Sequence, residues 1–185
     1  MHRLIAIVLL AALLAPSLAF AQTQTPRKKK KRPDVQLESK TSRVHIPGAR
    51  WDYGWLENSH AIGLGYIYAI EREYTWWELA LLLRAGVGAD VKLVTVGFGG
   101  IDGFLSYATS RATAIGDIGG ATLELGLGAG GDSNGIFPAA QAGIYYSASN
   151  YDIGYSYQTP IGTARAPWLS QHQISARFHL PIGRH

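Results

Sequence analysis

Alternation at period two recurs through most of the chain, and it limits the fold more than any other feature. Ile62, Leu64, Tyr66, Tyr68 and Ile70 share one parity, with Gly63, Gly65 and Ala69 on the other. This is the pattern of a pleated strand, whose side chains point to opposite faces in turn. From His60 onward no helical period lasts longer than a turn or two. Arg72 and Glu73 read as a tight turn into a strand from Tyr74 to Val87. There Trp77, Leu79, Leu81, Leu83 and Ala85 oppose Glu78, Ala80, Leu82 and Arg84. Further strands are expected over 91–98, over 101–109 (Leu105 and Tyr107 against Asp102 and Ser106) and over 121–129 (Leu123, Leu125 and Leu127 against Thr122 and Glu124). Segments 136–148, 151–158 and 173–180 complete the set. The glycine- and Asx-rich run 130–135 is the clearest turn between them. The expected fold class is therefore all-β, an antiparallel up-and-down barrel of about eight strands; Trp51-Asp-Tyr-Gly-Trp55 alternates too and reads as either an extra strand or an interfacial belt.

Alternation does not say which face is buried. A soluble barrel or sandwich points its apolar face inward, and an exported ligand-binding β-barrel is one reading of that kind. A membrane barrel points its apolar face at lipid and packs polar groups inside. Composition favours the second. Only 16% of residues are charged, against about a quarter in soluble domains. The polar faces carry roughly one charge per strand among Gly, Ala, Ser and Thr, which suits a crowded lumen. Most strands are near ten residues, the length that crosses a bilayer when tilted. Lipid offers no partner to a free strand edge, so such a sheet must close. The expected lumenal charges are Glu78, Arg84, Asp102, Glu124, Asp152 and Arg177. Buried charges are costly unless paired, so an ion-pair network is the expected arrangement.

The N-terminus reads as an export signal. Met1-His2-Arg3 is a positive start, residues 4–14 are an apolar run, and Ala19-Phe20-Ala21 is a cleavage site. Residues 1–21 are thus expected to be a cleaved signal peptide, residues 22–59 a basic flexible periplasmic tail, and residues 60–185 the barrel. The net charge of +4 is concentrated in the tail. Residues 22–59 hold nine Lys and Arg against four acids, while residues 60–185 hold seven against nine. Arg27, Lys28, Lys29, Lys30, Lys31 and Arg32 suit a solvated linker, or a contact with anionic lipid or peptidoglycan. An export signal ahead of them argues against a nucleic-acid partner.

On these strands and faces the chain resembles the small eight-stranded outer-membrane barrels of Gram-negative bacteria, the OmpA-like and OmpX-like group. The resemblance covers residues 60–185 and rests on pattern. The last strand is also similar to the signal read by the barrel-assembly machinery, with Gln173, Ser175, Phe178 and Leu180 in alternation. Ser175 stands where glycine is usual, and five residues follow Leu180. The resemblance implies an outer-membrane location and porin-like architecture, with both termini in the periplasm and the 159–171 loop outside. It also implies outer-membrane lipid and the assembly machinery as partners.

Candidate chemistry is sparse. The absence of cysteine excludes a disulfide scaffold, thiolate metal ligands and a cysteine nucleophile. Gly126-x-Gly128-x-x-Gly131 matches a dinucleotide fingerprint in letters but leads into a turn, not a helix. His172 and His179 lie on opposite faces of one strand. No catalytic, cofactor or metal residue is therefore expected. A lipid-modifying enzyme of the lipid A deacylase kind would need a His-x-Ser pair, and the chain offers only Ser170-x-His172 in reverse order. The expected role is structural or interaction-based in the cell envelope, with a narrow channel as a further alternative.

Overall fold

The computed structural model describes residues 38–76, 79–97, 99–148, 150–162 and 166–182. The expected signal peptide and basic run lie outside these residues. Eight strands follow in order: β1 (Glu38–Gly54), β2 (Ser59–Trp76), β3 (Leu79–Val96), β4 (Gly103–Gly116), β5 (Gly119–Asp132), β6 (Gly135–Ser147), β7 (Tyr151–Pro160) and β8 (His172–His179). Each pairs antiparallel with the next, and β8 returns to β1, so the sheet is a closed ring with up-and-down connectivity.

The register fixes the geometry of that ring. Starting at Val44, the partners run through Ala69, Gly86, Arg111, Glu124, Gly143, Ser156 and Gln173. Gln173 then pairs with Gly54, so one circuit returns to β1 ten residues further on. With a rise of about 3.3 Å per residue and strands about 4.8 Å apart, that offset tilts the strands by about 41° and sets a radius of about 8 Å. Such a ring has room inside for side chains and little else.

Two expectations about the strands need correction. Residues 38–54 are not tail. They form β1, paired with β2 along its whole length, so the ring begins well before residue 60. Residues 79–96 are one strand, not two. Gly86 and Gly88 look like a break, yet both lie within the ladder. A Cβ at Gly88 would stand 2.2 Å from the Tyr66 carbonyl, so the glycine serves a close strand approach. Arg72 and Glu73 likewise continue β2. The count of eight stands because β1, of which only the alternation over 51–55 is legible, adds one strand and the joining of 79–96 removes one.

The faces of most strands fall as the alternation requires. Ile62, Leu64, Leu81, Leu83, Leu123, Leu125, Leu127, Ile144, Ile153, Ile174 and Phe178 are all exposed on the outer surface. β4 is reversed. Leu105 and Tyr107 are buried inside, and Phe104, Ala108 and Ser110 face out.

The turns carry the residues that their backbone demands. Gly119 and Gly135 sit at φ of 116° and 137° after the β4–β5 and β5–β6 turns, where a side chain would be strained. Asp132 Oδ1 accepts the Asn134 N–H at 2.7 Å, closing the second of these.

Candidate functional site

Inward-facing charge fills the middle of the ring. Arg50 and Asp52 come from β1, Glu71 from β2, and Arg84, Asp90 and Lys92 from β3. Arg111 comes from β4, Glu124 from β5, Asp152 from β7 and Arg177 from β8, and all ten are buried. Five cations thus face five carboxylates, which is the condition under which charge tolerates a dry interior.

Glu124 is the hub. Arg177 donates to it from Nη1 at 2.5 Å and Nη2 at 3.0 Å, Arg50 Nη1 donates at 3.0 Å, and Arg111 Nε lies 3.2 Å away. Gln141 Nε2 and the Tyr145 hydroxyl add donors at 3.1 and 3.3 Å. Tyr145 stands among the three guanidinium groups, whose carbons lie 5.6–6.0 Å from its ring centre, close enough for cation–π attraction. Around the hub each cation has a second acid. Arg50 Nε donates to Asp52 at 2.6 Å, Arg177 Nη2 to Asp90 at 3.1 Å, and Arg111 to Asp152. Lys92 Nζ donates to Asp52 at 2.9 Å and also reaches Gln141 and Gln158. Arg84 pairs with Glu71 at 2.5 Å, one layer nearer the termini.

Apolar groups lie on either side of this layer. Toward the termini, Val44, Ile46, Ile67 and Ala69 form a buried cluster on β1 and β2. At the opposite, loop end, the β7–β8 connection folds into the mouth. Trp168 and Leu169 pack on Ala61, Val94, Leu105, Tyr107, Phe137 and Ala139. The Trp168 indole N–H donates to Asp132 Oδ2 at 2.7 Å, and Gln158 Nε2 donates to the Ser170 carbonyl at 3.1 Å. Two glycines make room for this stopper. A Cβ at Gly103 would lie 2.5 Å from the Trp168 ring, and one at Gly54 only 2.1 Å from Ser170 Cβ. The stopper also explains the reversal of β4: Leu105 and Tyr107 meet an apolar partner inside, at the level of Trp168.

Of the residues expected in the lumen, Arg84, Glu124, Asp152 and Arg177 lie in this network. Asp102 does not. It is exposed in the β3–β4 connection, where its carboxylate accepts the Val96 N–H at 2.7 Å. Its misplacement follows from the reversed parity of β4. Glu78 lies outside the described residues. Sequence reasoning passed over Arg50, Asp52, Glu71, Asp90, Lys92 and Arg111. The first two were assigned to the tail, Glu71 lay beside a supposed turn, and the others fell at supposed strand ends. The signal was present in the spacing: Arg50 and Asp52, like Asp90 and Lys92, are charged pairs two apart on one face.

The other expected residues are placed as follows. Gln173 and Ser175 face inward and are buried, and Phe178 and Leu180 face outward. Ser170 and His172 point apart. Ser170 is buried with the stopper and its hydroxyl donates to the His172 carbonyl. The His172 ring lies outside among Trp55, Tyr155 and Tyr157, with Nδ1 2.5 Å from the Tyr155 hydroxyl. His179 is buried inside. Gly126 and Gly128 are ladder residues of β5, which continues into a hairpin. Beside Arg50, Asp90, Arg177 and His179 is a cavity of about 10 Å³, the size of about one water.

Compared with protein-family models and with curated protein sequences, the chain matches none.

Proposed function

We propose that this protein is an outer-membrane β-barrel with a structural or interaction role in the bacterial envelope, and that it carries out no catalysis. The observation that carries this reading is the direction of the faces. Ten buried charges line the inside, while Leu123, Leu125 and Leu127 are 48%, 55% and 67% exposed on the outside. In water that arrangement would leave a large apolar surface uncovered. In a bilayer it satisfies both solvents. At about 3.3 Å per residue and a tilt of about 41°, the outward apolar stretch stands about 20 Å tall on β2 (Ile62–Ile70) and about 35 Å on β3 (Leu79–Leu93). These heights lie either side of the roughly 25 Å band of outer-membrane barrels.

Aromatic groups support the same reading. Trp51, Tyr53 and His60 stack on one another toward the loop end, and His45 packs on Tyr66 and Tyr68 toward the termini. Such rings favour the two interfaces of a bilayer. In this proposal residues 1–21 are the export signal, the basic residues 27–32 lie in the periplasm, and the last strand is read by the assembly machinery. The charge-balanced interior and the Trp168 stopper favour a strut over a channel, and the separation of Ser170 from the His172 ring weighs against a lipid-modifying enzyme. The test is extraction and gel mobility. The full chain should partition with outer membranes, require detergent for release, and migrate differently before and after boiling. Recovery in a soluble periplasmic fraction would overturn the proposal.

A further inference from the structure

Two arginines interrupt the outer apolar surface near the termini. On β1 the outward residues run His45, Arg43, Thr41, and their partners on β2 are Tyr68, Ile70 and Arg72. Arg43 and Arg72 are therefore diagonal neighbours, within reach of one another across the ladder. Both are exposed. Among the described residues neither forms an ion pair: of the two acids flanking Arg72, Glu71 is buried on the inner face with Arg84, and Glu73 has the same parity as Glu71 and stands opposite Lys40 and Leu82. The Arg72 guanidinium lies 5.5 Å from the centre of the Tyr74 ring.

The surroundings are apolar. Arg72 pairs with Leu83 on β3, Tyr74 with Leu81 and Thr75 with Ala80. Ile70, Leu79, Leu81 and Leu83 are 52%, 60%, 43% and 40% exposed. Immediately above, toward the loop end, His45 and Tyr68 mark the interfacial ring pair already described. Here β1, β2 and β3 extend beyond the last residue of β8, whose pairing with β1 ends at Gly48 apart from a bridge between His45 and Ile182. A pair of unneutralised cations thus sits below an aromatic belt, against a wall of exposed leucines. Cations there meet headgroups, and leucines there meet acyl chains.

We propose that Arg43 and Arg72 seat the phosphate of an anionic phospholipid in the leaflet at the terminus end, with its acyl chains running toward the loop end along Leu83, Ile70 and Val87. The assignment rests on the membrane reading above and names the lipid class it would hold. Arg72 supplies a planar fork held over Tyr74, and Arg43 supplies the second charge, a geometry suited to phosphate oxygens.

The test uses the full chain in detergent, titrated separately with phosphatidylglycerol and phosphatidylcholine, with bound lipid counted by native mass spectrometry. Wild type should hold phosphatidylglycerol on the order of tenfold more tightly than phosphatidylcholine. Arg43→Gln/Arg72→Gln should lose that preference, and Arg43→Lys/Arg72→Lys should keep part of it. Equal preference in wild type and the Gln variant would overturn the site. Displacement of the lipid by millimolar inorganic phosphate would also overturn it, by assigning the arginines to a free anion. A chain with residues 27–32 all changed to Gln should retain the preference, and its loss there alone would move the site to the tail. Insertion into phosphatidylcholine vesicles, scored by heat-modifiable mobility, separates the two levels. Failure of every variant to insert defeats the membrane reading, whereas insertion without lipid preference defeats only this inference.

Discussion

Glu124→Gln removes one charge from the centre of a balanced interior and changes almost nothing in shape. Three guanidinium groups lie within 3.2 Å of the carboxylate they would lose. Each keeps at least one other acid: Asp52 and Asp90 for Arg50, Asp90 for Arg177 and Asp152 for Arg111. The five-to-five balance becomes five to four, and one buried positive charge is left uncompensated. Removing one partner of a buried pair costs about 3–5 kcal/mol. The retained acids place this variant toward the lower figure, so about 3 kcal/mol is expected. The assay is equilibrium unfolding in urea from lipid vesicles, followed by the fraction of chain with folded mobility. The double variant Glu124→Gln/Arg177→Gln restores the balance at four to four and should be more stable than the two single effects predict, by at least about 1 kcal/mol. Strict additivity, or a Glu124→Gln effect below about 1 kcal/mol, would refute the claim that charge balance organises the interior.

The remaining predictions concern the stopper and the outer face. Trp168→Ala should cost about 3–5 kcal/mol, the range for truncating a buried aromatic side chain, and unfolding titrations measure it directly. Gly54→Ala should cost about 1–3 kcal/mol through overpacking against Ser170; an unchanged urea midpoint would show that the stopper yields freely. Leu125→Arg puts a charge on the outward face at mid-height. It should reduce stability in vesicles by about 2–4 kcal/mol, whereas a water-facing sheet would tolerate it with little loss.

Where the outer face is apolar and the inner face polar, as on β2, β5, β6, β7 and β8, period two assigned the strand and its two faces, and the scarcity of charge on the polar face assigned the direction. It failed where the interior itself turns apolar. Leu105 and Tyr107 face Trp168, a contact more than sixty residues away that no local pattern reports. On β1 it reached no further than residues 51–55. Arg50 and Asp52 look solvated in a window rich in Lys and Arg, and only their partners Glu124 and Lys92 make them interior groups. The hub at Glu124 was visible as a lone acid among leucines. Its three arginines come from β1, β4 and β8, and their convergence depends on the ten-residue offset of the closed ring.

The seam between β1 and β8 is short, seven residue pairs against seventeen between β1 and β2. Arg177 sits on the strand that makes it. A chain with the first seven strands in place and β8 not yet docked would hold four interior cations against five carboxylates, leaving Glu124 and Asp90 short of a donor. Charge neutrality and backbone closure are therefore completed by the same event. An unfinished ring carries an electrostatic mark of its incompleteness, and docking of the C-terminal strand erases it.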